Sequence, residues 1–187
     1  MRIIGGNLRG RKLLEPIDKS TRPLKDLVRE SIFNILEHSK KEFSNLDKTN
    51  ILDLFSGTGS FGIECLSRGA KKVIFFENYY KSIKILEENI KKFNLQKKTL
   101  VLKESAYDVN KLNLKNIKFD LIFLDPPFKD KNIYLLIGEI KKTKIFNNKT
   151  IFILHRNKKF KEYIPEDLKV YKEKNYGLSK IIFFRIY

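Results

Sequence analysis

The chain has 187 residues, 42% of them hydrophobic, enough for one well-buried core with a small appendage and too few for two large domains. Lys and Arg number 39 against 22 Asp and Glu, a formal charge of +17, so the surface suits polyanions, nucleic acid first among them. Cys65 is the only cysteine, which excludes an intramolecular disulfide, and no apolar run exceeds strand length, which argues against secretion or membrane spanning and for the cytoplasm.

At the start of the chain, Arg2, Arg9, Arg11, Lys12, Lys19 and Arg22 face only Glu15 and Asp18 in opposition. Gly5, Gly6 and Gly10 punctuate them, and Ile3, Ile4, Leu8, Leu13 and Leu14 interleave. The pattern predicts a short β-hairpin or ribbon with a basic surface able to grip phosphates. Thr21 followed by Pro23 is a helix-start signal. Leu24, Leu27, Val28, Ile32, Ile35 and Leu36 then recur at helical spacing through Glu37, with Arg22 and Arg29 placed to face the same groove. Residues 38–49 are a polar connector. The chain divides on this reading into a basic extension, 1–37, and a main domain, 38–187.

Ile51–Gly62 reads Ile-Leu-Asp-Leu-Phe-Ser-Gly-Thr-Gly-Ser-Phe-Gly: a buried strand, a Gly-rich turn and the start of a helix that Gly69 can stop. Such a turn lets a ligand lie on backbone N–H groups at a helix N-terminus. Gly57, Gly59 and Gly62 satisfy G-x-G-x-x-G, and Glu77 lies about twenty residues on, so a nicotinamide or flavin enzyme stays open on spacing alone. Asp53 argues otherwise. A carboxylate at the strand end repels a pyrophosphate and attracts a ligand that carries an ammonium and a sulfonium. S-adenosyl-L-methionine is such a ligand, with two ribose hydroxyls for Glu77.

Further along, Val73–Phe76 predicts a second strand, Tyr80–Phe93 a helix with Ile83, Leu86, Ile90 and Phe93 on one face, and Leu100–Leu102 a third strand. Phe119–Leu124 and Ile151–Leu154 make the fourth and fifth, with a helix over Ile133–Ile140 between them. Leu168–Tyr171 and Ile181–Ile186 form a closing hairpin about Tyr176-Gly177. Strands alternating with helices predict an α/β, Rossmann-like, mostly parallel seven-stranded sheet covered on both faces. Ligands gather at the carboxyl ends of such strands, where Asp53, Glu77, Ser105 and Asp125 fall together.

Asp125-Pro126-Pro127-Phe128 combines an acceptor carboxylate, carbonyls stiffened by prolines and an aromatic ring. An exocyclic amino group on a nucleobase is a poor nucleophile because its lone pair is delocalised into the ring. Hydrogen bonds to Asp125 and to the Pro126 carbonyl would orient it and favour charge developing on nitrogen during methyl transfer, while Phe128 stacks on the base. Cys65 reads as a core residue. His38 and His155 flank no cluster with ligand spacing and read as surface or packing residues, so no metal is expected.

Asp125-Pro-Pro-Phe128 resembles motif IV, and Asp53-Leu-Phe-Ser-Gly-Thr-Gly59 motif I, of amino-directed, S-adenosylmethionine-dependent methyltransferases. Arg2-Ile-Ile-Gly-Gly-Asn-Leu-Arg-Gly-Arg-Lys-Leu13, Thr21-Arg-Pro23, Val28-Arg-Glu-Ser-Ile-Phe33, Gly62-Ile-Glu-Cys-Leu-Ser-Arg-Gly-Ala70 and Tyr176-Gly177-Leu-Ser-Lys resemble the RsmD family of ribosomal RNA guanine-N2 methyltransferases. The likeness spans nearly the whole chain. It implies a class I methyltransferase that modifies a guanine of 16S ribosomal RNA on partly assembled small subunits; nothing in the sequence suggests an interface, so a monomer is expected. It implies a cofactor site of Asp53, Phe55, Ser56, Gly57, Thr58, Gly59, Glu77, Asn78, Ser105 and Ala106. The target base would be held by Asp125, Pro126, Pro127 and Phe128, and RNA by Arg2, Arg9, Arg11, Lys12, Arg22 and Arg29. Two departures from the family stand out: Leu24-Lys25 where small hydroxyl residues are usual, and His155-Arg156 where an acidic residue is common. An adenine-N6 methyltransferase and a non-catalytic RNA-binding assembly protein of the same fold are the rival readings.

Overall fold

The computed structural model describes residues 1–15, 24–39, 45–111, 114, 117–159 and 167–187. The strand β1 (Asn50–Leu54) runs through the middle of the sheet, and its apolar residues alternate between two cores. Ile51 packs on one face with Val73, Phe75, Leu121 and Phe123. Leu52 and Leu54 pack on the other with Ile74, Phe76, Ile122 and Leu124. Both faces of a parallel sheet must be covered, and this alternation assigns each face its own helices.

β1 pairs in parallel with β2 (Lys72–Phe76) and β4 (Leu121–Leu124); β2 pairs with β3 (Thr99–Leu102), and β4 with β5 (Ile151–Asn157). β5 is joined antiparallel by β7 (Ser179–Ile186), and β7 by β6 (Leu168–Tyr176), giving a seven-stranded order of β3-β2-β1-β4-β5-β7-β6. The expected mostly parallel sheet with helices on both faces is therefore the observed one. The closing hairpin is longer than its apolar residues predicted, because the polar Lys172–Asn175 of the edge strand β6 go on pairing with β7, down to Tyr176 opposite Ser179.

α1 (Asp26–His38), α2 (Ser60–Ser67) and α3 (Tyr80–Lys92) lie over the first face through Val28, Ile32, Phe33, Phe61, Ile63, Leu86 and Ile90. α4 (Ile133–Lys141) and a 3-10 turn over Ala106–Lys111 cover the second through Leu136, Ile137, Ile140 and Val109. The helix-start signal at Thr21 and Pro23 lies outside the described residues, as does Arg22.

The N-terminal segment is a ribbon held by one antiparallel bridge, Arg2 to Lys12, around a 3-10 turn at Gly6–Leu8. Its backbone closes through Ile3 N–H to Arg11 O at 2.9 Å and Gly10 N–H to Ile3 O at 2.8 Å. Ile3 and Leu13 enter the same apolar layer as α1 and α2. The ribbon docks on α2 by an unusual device: the fully buried Glu64 carboxylate accepts the N–H groups of Ile4 at 2.8 Å and Gly5 at 2.7 Å. Ser67 Oγ accepts Leu8 N–H at 2.9 Å.

Candidate active site

At the carboxyl end of β1 the backbone leaves the sheet through Phe55, held at φ 62°, and enters the Ser56–Gly59 turn. Gly57 and Gly59 both take positive φ there, and no heavy atom lies within 4 Å of where a Cβ on Gly57 would sit, so the turn leaves an open cradle. Ser56 N–H donates to Phe76 O at 2.9 Å and Asp125 N–H to Leu54 O at 3.3 Å, which ties the ends of β2, β1 and β4 into one rim.

Under this rim is a cavity of about 390 Å³. Eleven of the fourteen residues expected at the cofactor and target-base sites line it: Asp53, Phe55, Ser56, Gly57, Thr58, Glu77 and Asn78 on one side, and Asp125, Pro126, Pro127 and Phe128 on the other. Leu24, Ser60, Phe61, Tyr79 and Phe123 complete the wall. Gly59 caps α2 from within the turn without lining the cavity. Ser105 and Ala106 do not line it either. Both follow β3 at the sheet's edge, and the Ala106 side chain is packed into the second core, so it has only backbone to offer a ligand.

Asp53 is the most perturbed group in the site. Its Oδ2 accepts Gly62 N–H at 3.0 Å, while Oδ1 is buried with no hydrogen-bond partner among the described residues. Burial raises its pKa well above the usual carboxylate range, the Gly62 N–H opposes that, and the charges of Asp125 and Glu77 add to it. A buried acceptor left without a donor costs free energy that a cationic donor would recover. An ammonium fits there; a pyrophosphate does not. Glu77 bridges the end of β2 to the turn, accepting Gly57 N–H at 2.7 Å through Oε2 and Tyr79 N–H at 2.8 Å through Oε1. Its carboxylate stands at the cavity wall with acceptor capacity left for hydroxyl groups.

Across the cavity the Asp125–Phe128 loop is gripped from behind. His155, read from sequence as a surface or packing residue, is 1% exposed and lies with Nδ1 2.8 Å from Asp125 Oδ1 and Nε2 2.8 Å from Ser179 Oγ. Its ring also meets the Phe128 ring edge-to-face, centroids 5.4 Å apart. Arg156 Nη1 donates to Pro127 O at 3.1 Å, and Nη2 donates to Asp130 O. Tyr107 donates to the Asp130 carboxylate at 2.8 Å, and burial, ahead of that carboxylate, pushes its phenol pKa up. Composition and spacing missed His155 and Arg156. Their signal was position: they follow Leu154, which pairs with Leu124, so they stand level with the Asp125 loop on the neighbouring strand.

The ribbon touches the cavity wall at one end, where Asn89 joins the Leu14 backbone to Thr58 O, and carries its basic side chains elsewhere. Arg9, Arg11 and Lys12 are exposed near the far ends of α2 and α3, where Arg11 sits 4.7 Å over the Phe93 ring and Lys92 Nζ donates to Lys12 O at 2.8 Å. Arg2 is exposed at the bridge. Arg29 must be removed from the RNA-facing set. It is 0% exposed, donates to the Arg2 carbonyl and to Asp26 Oδ1, and lies 3.8 Å from Glu64. Burial lowers its pKa, against the pull of Glu64 and Asp26. Cys65 is buried, and burial raises its thiol pKa, as befits a core residue. Among the described residues no group of three or more His, Cys, Asp or Glu side chains could hold a metal ion.

The family model described as conserved hypothetical protein 95 matches residues 1–185. Ribosomal RNA small subunit methyltransferase D of Haemophilus influenzae is 31% identical over 188 residues, covering 100% of this chain and 93% of its own. YlbH of Bacillus subtilis is 31% identical, covering 99% and 98%. The crystal structure of Haemophilus influenzae HI0767 superposes with a TM-score of 0.77 at 29% identity, over 99% and 97% of the two chains. A cavity floored by a Gly turn and an acidic strand end, and faced by Asp-Pro-Pro-Phe, thus sits in a chain that belongs to the conserved hypothetical protein 95 family, the RsmD family of methyltransferases.

Proposed function

We propose that this protein transfers a methyl group from S-adenosyl-L-methionine to the exocyclic N2 of a guanine in 16S ribosomal RNA, free or in a partly assembled small subunit, in the cytoplasm. The observation that carries the reading is one cavity with two chemistries. An unsatisfied buried carboxylate, Asp53, stands on one wall, and an amine-accepting loop, Asp125–Phe128, on the other. S-adenosylmethionine supplies a methyl on an electron-poor sulfur. Asp53 would receive its ammonium, Glu77 its ribose hydroxyls, and the Gly57–Gly59 turn would let it approach the backbone. Asp125 and the Pro126 carbonyl accept the two hydrogens of the base's amino group, and Phe128 stacks on the ring. This fixes the nitrogen lone pair toward the donor and stabilises charge as it develops. Residues 1–37 serve as the RNA-holding extension of a catalytic unit over 38–187, and Arg2, Arg9, Arg11 and Lys12 supply its phosphate contacts; the unit works as a monomer. No helix among the described residues is long and apolar enough to cross a membrane.

The test is transfer of labelled methyl to undermethylated small-subunit particles and to free 16S RNA, followed by nucleoside mass spectrometry. N2-methylguanosine is expected, lost in Asp125→Ala while RNA affinity stays. N6-methyladenosine instead, or no transfer by protein that binds the cofactor, refutes the reading.

A further inference from the structure

The end of β5 grips the amine-accepting loop and the turn after it, at Asp125, Pro127 and Asp130. Leu124 and Leu154 are partners in parallel register, so Asp125 and His155 follow them on the same side of adjacent strands. His155 Nδ1 takes Asp125 Oδ1, and Arg156 takes the carbonyls of Pro127 and Asp130. Asp125 still lines the cavity. A carboxylate oxygen can only accept, so the 2.8 Å contact assigns the ring hydrogen to Nδ1. Nε2 pairs with the Ser179 hydroxyl, itself buried on β7, which can accept from it or donate to it. Imidazole orientation is thus fixed from one side by Ser179 and transmitted to the carboxylate on the other.

We propose that His155 is a positioning residue for methyl transfer, donating from Nδ1 to hold the Asp125 carboxylate in the plane that meets the substrate's amino group. The proposal rests on the methyltransferase reading above. His155 does not touch substrate; it removes the rotational freedom of the group that does, and its edge-to-face contact with Phe128 steadies the stacking ring in the same stroke. An ionised acidic residue at this position would offer no hydrogen to Asp125 and would repel its carboxylate.

In steady-state assays on small-subunit RNA, His155→Ala should lower kcat about 10- to 100-fold, the cost of a slightly misplaced acceptor, with the KM for cofactor and RNA unchanged. His155→Asn, whose amide can donate from nearly the place of Nδ1, should recover much of that rate. Ser179→Ala should fall between. Imidazole 15N shifts of the unsubstituted protein should show a protonated Nδ1. If His155→Ala does not fold, judged by melting and cofactor binding, the Asn and Ser179 variants and the tautomer decide. Full kcat in folded His155→Ala or in Ser179→Ala, or the Nε2–H tautomer, overturns the positioning role. A wild type that transfers no methyl group fails the methyltransferase reading itself, and is distinguished from this failure because the variants have then nothing to lose.

Discussion

Asp53 carries a cost in the ligand-free protein that its ligand is meant to relieve. Its folded pKa lies above the unfolded value, so the folded state holds the proton more tightly than the unfolded chain does. The stability associated with that proton is full below the unfolded pKa and is lost as pH rises through the folded one. Asp53→Asn removes the dependence. In ligand-free protein the melting temperature of the variant should gain on wild type as pH rises, while its affinity for S-adenosylmethionine falls about tenfold or more, a loss of ~1.4 kcal/mol or greater. A variant that loses ground to wild type as pH rises contradicts the assignment. Asp53 and Asp125 were legible in the sequence because a carboxylate at the end of an apolar strand, beside a Gly or Pro turn, has few other reasons to be there. His155 was not, since its partner lies 30 residues away and their meeting depends on β4 and β5 being neighbours. Arg29 was misread as a surface charge although its spacing to Ile32, Phe33 and Leu36 places it on the buried face of α1. Charge outweighed periodicity in that reading, and the buried Glu64 that pairs with it could not be seen from sequence.

At the scale of the element, the ribbon is a docked part of the protein whose seat depends on one glycine. Gly6 has φ +73°, and a Cβ there would fall 1.8 Å from the Ser67 carbonyl oxygen, a backbone atom that cannot swing aside. Gly6→Ala should therefore unseat the tip that carries Arg9, weaken RNA binding and make it less salt-dependent, with cofactor affinity preserved. Replacing Arg9, Arg11 and Lys12 together by Ala should lower the slope of log affinity against log salt by about 3, roughly one per phosphate contact. An unchanged slope in both would move the RNA face elsewhere. The ribbon itself was legible from its alternating basic and apolar residues. Its docking was not, because the contacts are backbone N–H groups on a buried Glu64, which leave no pattern in the chain.

Across the whole molecule, the topology does the gathering. Parallel strands β1, β2 and β4 end at one rim, and each delivers one acidic residue there: Asp53, Glu77 and Asp125. The alternation of β1 turns Asp53 toward α2, so the helix N-terminus meets the carboxylate through Gly62 N–H. The ribbon's tip meets the other end of α2, about 12 Å along an eight-residue helix, so a substrate touching both that tip and the cavity must extend well beyond one nucleotide. This separation suits a structured RNA and gives the charge of +17 a place to act. The most direct measurement is calorimetric titration of the protein with S-adenosylhomocysteine beside NAD, repeated on Asp53→Ala. Micromolar binding of the former, lost in the variant, with no heat from NAD, is the expected result. Binding of NAD, or S-adenosylhomocysteine binding indifferent to Asp53, would contradict a cavity built around a cationic methyl donor.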